Sequence, residues 1–80
     1  MGNTETVIRE ILIDINSRSN GADKNADLYA DVGLASVHAV TLLAELEDRF
    51  RIHIPDDDFI EARSISQLTL VVEALVRQSA

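Results

Sequence analysis

The sequence has no cysteine, no tryptophan, a single proline and only three aromatic residues, Tyr29, Phe50 and Phe59. Lack of cysteine excludes disulfide staples, a thiolate nucleophile and any zinc site built on sulfur ligands. Oxidising and reducing surroundings therefore suit the chain equally. With so few rings, the core must be aliphatic, drawn from Leu, Ile and Val within a 46 % hydrophobic composition. No apolar run approaches the ~20 residues of a membrane span, and the amino terminus lacks the basic and apolar regions of a secretory signal. The expectation is a soluble, cytoplasmic protein without a membrane span. Positive charge is also scarce, with seven Lys and Arg against fourteen Asp and Glu, a formal charge of −7. That balance opposes nucleic acid and anionic lipid and favours partners with basic patches.

What is present is acid, unevenly placed. Between Asp31 and Glu61 lie eight acidic residues, opposed only by Arg49 and Arg51. The 80 residues read as a single domain over 1–80, expected to be monomeric. A chain of this length buries roughly 60–65 % of the surface its unfolded form exposes, so its stability margin is small.

Val7, Ile8, Ile11, Leu12 and Ile15 recur at helical spacing, which predicts a first helix from about Thr4 to Ser17 or Arg18, capped by Asn3 or Thr4. Ser19, Asn20 and Gly21 are expected to stop it. From Ser19 to Ala35 no helical period appears, and so long a connection is unusual in a small domain. Leu28, Tyr29, Val32 and Leu34 are placed to anchor it on the helices, with Gly33 as backbone pivot.

A second helix is predicted from Ser36 to Arg49 or Phe50, with Ala39, Val40, Leu43, Leu46 and Phe50 on the core face. His38, Thr41, Glu45 and Asp48 fall opposite, with Val37 at the margin. Glu47 points toward the core side and is expected at the bundle edge, accepting a hydrogen bond from loop backbone. Pro55 pushes the preceding residue off helical angles and so ends this helix, leaving Ile52 and Ile54 to tuck inward. A short third helix follows from Asp56 to Ala62, its three leading acids favourable at the helix start and Phe59 and Ile60 supplying the apolar contact. Ser64 and Gln67 form a capping-box pattern. Ile65, Leu68, Val71, Val72 and Leu75 then mark a fourth helix running to about Arg77. The prediction is an all-α four-helix bundle, with three long helices, a short third one and a long first loop, framed by the first, second and fourth.

The run Asp31-Val32-Gly33-Leu34-Ala35-Ser36-Val37, followed by Leu43, Leu46, Glu47, Phe50 and then Ile54-Pro55-Asp56, resembles an acyl carrier protein over about the whole chain. In that family the serine of a Gly-x-Asp-Ser-Leu signature, at the start of the second helix, is esterified with 4′-phosphopantetheine by a separate transferase. Ser36 matches that serine, with Gly33 three residues before it. The resemblance implies an acyl-carrier-like bundle that holds acyl or aminoacyl groups as thioesters on the arm, for lipid, polyketide or other specialised acyl metabolism. It implies a phosphopantetheinyl transferase as partner, and loading and transferring enzymes that dock by basic patches on Val37, Thr41, Glu45 and Asp48. Ala35 replaces the family's usual Asp and Val37 its usual Leu, which points to a specialised member with its own partner set. The position also has a physical basis, because unpaired N–H groups and the helix dipole at a helix start stabilise an attached phosphodiester.

The alternative is an unmodified acidic interaction module in which Ser36 is a helix N-cap. His38 shares the outer face, as a docking modulator through protonation or as an ordinary solvated histidine. Asp56, Asp57 and Asp58 suit weak divalent binding or helix capping, without the spacing of an EF-hand. Neither His38 nor His53 has an evident orienting acid, so the chain is expected to be non-catalytic, modified and loaded by other enzymes.

Overall fold

A computed structural model of the protein describes residues 3–79. The elements are α1 (Asn3–Ile15), a 3₁₀ turn (Ser17–Ser19), α2 (Ser36–Phe50), α3 (Asp56–Glu61) and α4 (Ile65–Ser79). The all-helical reading holds, and α1 packs on both α2 and α4, with α3 on α4. Ile8, Ile11 and Leu12 of α1 meet Leu42 and Leu46 of α2 and Ile65, Leu68 and Val72 of α4 in one buried cluster. Phe59 is the single ring fully inside it, as the aliphatic composition requires.

Several boundaries move. Helix α1 already includes Thr4, and the expected cap at Asn3 lies outside the described side chains. At its other end α1 stops at Ile15, short of Ser17 or Arg18. There the Asn16 side chain accepts the Arg18 N–H at 3.0 Å and diverts the chain into the 3₁₀ turn, a local side-chain bond competing with the helix. Gly21 and Gly33 have φ of 77° and 88°, so both occupy backbone space that favours glycine. Helix α2 ends at Phe50, as expected, but the residue that closes it is Arg51, ahead of Pro55. Arg51 adopts φ 55° and ψ 50° and directs its N–H to the Glu47 carbonyl, a left-handed closure by a non-glycine residue.

The long first connection is packed, as expected. Leu28 and Leu34 are buried, and the Leu28 N–H bonds the Arg63 carbonyl at 2.8 Å while the Ser66 N–H bonds the Lys24 carbonyl at 2.9 Å. Arg9 of α1 reaches the Ala22 carbonyl at 2.7 Å and Glu5 at 3.0 Å. The loop thus takes its shape from both α1 and the start of α4.

At the start of α4, Ser64 Oγ accepts the Gln67 N–H at 3.2 Å. Gln67 reaches back one residue further than a capping box requires, accepting the Arg63 N–H at 2.8 Å. Helix α4 then continues to Ser79, past the expected end at Arg77. Helix α3 buries Phe59 but leaves Ile60 65 % exposed, so only one of the two expected apolar contacts forms; adjacent residues on a helix point 100° apart.

Candidate functional site

Ser36 is the first residue of α2 and is exposed. The N-cap position belongs to Ala35, whose backbone is extended (φ −87°, ψ 162°) and whose methyl group accepts no hydrogen bond. The Ser36 hydroxyl has no partner among the described residues. The alternative in which Ser36 is the N-cap does not match the helix start: the serine stands one position inside the helix, where its side chain is exposed.

What closes the helix start instead is His38. Its Nδ1 accepts the Ala35 N–H at 3.2 Å, an interaction that needs the nitrogen lone pair and so belongs to the neutral ring with its proton on Nε2. The half-buried imidazole lines a groove of about 360 Å³ between α1 and α2, together with Asp14, Thr41, Glu45 and Arg49. Sequence reasoning placed His38 on the outer face. The missed signal was its position three residues after the cap, where a Glu or Gln side chain bonds back in a capping box.

A second groove, of about 370 Å³, opens beside Ser36 between α2 and α3. Leu34, Ala39, Phe59 and Ile60 make it largely apolar, and Tyr29 and Arg63 form its polar wall. Arg63 forks onto Asp27, with Nε to Oδ2 at 2.7 Å and Nη2 to Oδ1 at 3.1 Å, while its guanidinium lies 4.8 Å from the Tyr29 ring centroid. Asp27 Oδ1 also accepts the N–H groups of Tyr29 and Ala30, each at 2.8 Å. The Arg63 hydrogen bond above all, then these backbone donors, holds the Asp27 carboxyl at about 2. Burial raises the Tyr29 phenol. The cluster fixes the loop that delivers Ser36 to α2, a role that sequence reasoning did not anticipate for Asp27 or Arg63.

On the outer side of α2, Val37, Thr41, Glu45 and Asp48 are all exposed. The structure adds Val40, 70 % exposed beside Val37 at 68 %. Val40 was expected in the core, and Leu42, fully buried, takes that place. The helix is rotated so that the inward face centres on Leu42 and Leu46, between α1 and the loop.

Glu47 behaves as expected: Oε2 accepts the Ile54 N–H at 2.8 Å. The same oxygen lies 3.3 Å from His53 Nδ1, so His53 does have an acid beside it, contrary to the sequence reading. Ser79 shares that surface depression, but its hydroxyl is turned onto the Leu75 and Val76 carbonyls of its own helix. As for metals, no group of three His, Asp or Glu side chains among the described residues comes together around an ion position. Asp56, Asp57 and Asp58 form the first turn of α3, at the positive end of its dipole, and as successive helical residues point 100° apart. Among the described residues no helix is long and apolar enough to cross a membrane.

The model of the phosphopantetheine attachment site family matches residues 6–72. The chain belongs to this acyl carrier family. An acyl carrier protein of Chlorobium phaeobacteroides is 31 % identical over 80 residues, spanning 94 % of this chain and 99 % of that protein. The family defines the group involved as covalently attached 4′-phosphopantetheine, and the protein as a phosphopantetheine carrier served by a modifying transferase. The matched stretch contains Ser36, the apolar groove beside it and the exposed face of α2.

Proposed function

We propose that Ser36 is the attachment residue and that the chain is a non-catalytic, cytoplasmic carrier acting as one unit over 1–80, loaded with acyl or aminoacyl groups by other enzymes. The observation that carries this reading is the exposed, unengaged hydroxyl of Ser36 at the first position of α2. The residues fit the group. A phosphodiester on Ser36 meets the free N–H groups and positive dipole end of the helix, and the apolar groove at Leu34, Ala39, Phe59 and Ile60 suits an aliphatic segment of arm or cargo. When bound, the arm supplies the terminal thiol that a cysteine-free chain lacks. Val37, Val40, Thr41, Glu45 and Asp48 form a mixed apolar and acidic face next to Ser36, suited to basic docking patches on loading and transferring enzymes. Ala35 and Val37, where the family's Asp and Leu usually stand, make this a specialised carrier in lipid, polyketide or related acyl metabolism.

The test is the intact mass after incubation with coenzyme A and a broad-specificity phosphopantetheinyl transferase. One added phosphopantetheine, lost in Ser36→Ala, is expected. No added mass with several transferases, or addition that persists in Ser36→Ala, overturns the assignment.

A further inference from the structure

We propose that the groove between α3 and α4 is a second docking surface, for a basic amphipathic helix of a partner enzyme, separate from the face that carries Ser36. Helix α3 divides two depressions. Phe59 and Ile60 look toward Ser36, whereas Asp58 and Glu61 look toward α4, across a groove of about 230 Å³ that continues past Pro55 as another of about 400 Å³. Asp58, Leu70 and Val71 line both parts, so the two form one continuous strip.

Leu70 is 67 % exposed at the middle of that strip. A lone exposed leucine is ordinary. Here, however, partly buried Val71 and Ala74 extend it along α4 at helical spacing, the form in which a groove receives the apolar face of another helix. The rim decides the chemistry of the occupant. Asp58 and Glu61, the acids that line the strip, have no ion pair or side-chain hydrogen bond among the described residues, and the polar α4 side chains that line it with them, Gln67 and Gln78, are neutral. An apolar strip edged by these two uncompensated acids, with Asp56 and Asp57 on the same short helix, is complementary to Leu-rich, Lys- or Arg-bearing surface. A second copy of this chain, itself at −7, is repelled from it. A partner seated there leaves Ser36 and the exposed face of α2 uncovered, so the carrier stays tethered while its modified serine serves another site.

The test is a ¹⁵N NMR titration of the whole chain with a synthetic Leu/Lys amphipathic peptide of about 15 residues. Saturable shifts are expected at Asp58, Glu61, Leu70 and Val71. Binding should weaken about fivefold in Leu70→Gln, weaken in the Asp58→Asn/Glu61→Gln double variant and at high salt, and stay unchanged in Ile13→Gln, an exposed apolar position of α1 that lines neither part of the strip. It should also be the same in Ser36→Ala, so a failure of the attachment assignment does not touch it. Shifts centred on Val40, weakening by Val40→Gln instead, absence of saturable binding, or a concentration-dependent dimer lost in Leu70→Gln each overturn the proposal.

Discussion

Asp27 and Arg63 join residues 36 apart in the chain and set the position of the loop that leads into α2. Their contribution is readable through pH. The Asp27 carboxyl sits at about 2, below the ordinary aspartate value of about 3.9. A depressed carboxyl stabilises the fold fully above its unfolded value, and that contribution disappears as pH falls through the folded one. Asp27→Asn should therefore lower the melting temperature at pH 7, and the gap to the parent protein should close between about pH 4 and about pH 2. Circular dichroism melts of both proteins across that range check it; a gap that stays constant would show that the pair contributes nothing through ionisation. The pair was not legible in the sequence, since nothing in local spacing says which arginine meets an aspartate on a distant loop. Glu47 was legible, because a carboxylate on the core side of an amphipathic helix must find a donor, and the nearest unpaired N–H groups lie in the chain that leaves that helix.

The helical elements were recognisable from apolar periodicity, but their ends and faces were not equally so. Helix α2 contains Val37, Ala39, Val40, Leu42, Leu43, Ala44, Leu46 and Phe50, apolar groups spread so widely around the wheel that periodicity alone permits two inward directions. Contacts with α1 and the loop select Leu42 over Val40. The start of the same helix has an extended cap residue without an acceptor, so Ala35→Asp should supply one and stabilise the fold by about 1 kcal/mol. An upward shift in the urea midpoint at unchanged slope is the expected result. No shift would mean that His38, already bonded to the Ala35 N–H, fully satisfies this helix end. The substitution also moves the sequence toward the family signature, which makes modification rates of the two proteins worth comparing.

For the whole molecule, charge is the governing excess. The −7 charge lies in large part on α2 and α3, and the acids of α3 have no internal counter-charge among the described residues. Raising NaCl from about 20 to about 200 mM should therefore raise the melting temperature by screening, and millimolar Mg²⁺ should do so at lower ionic strength as a diffuse counterion. Asp57→Asn should reduce both gains, measured by calorimetry; indifference to salt and Mg²⁺ would show that repulsion does not limit stability. The sequence by itself determined the helical class, the aliphatic core, the acidic surface and Ser36 as the residue of interest, because periodicity, composition and a short local pattern are properties of neighbouring residues. Only the tertiary structure decided that the Ser36 hydroxyl has no partner among the described residues, that His38 closes the helix behind it, and that α3 separates the groove beside Ser36 from an acidic one. Those outcomes depend on which surfaces of four amphipathic helices and one packed loop come to face each other. That is a matter of long-range packing, on which local spacing is silent.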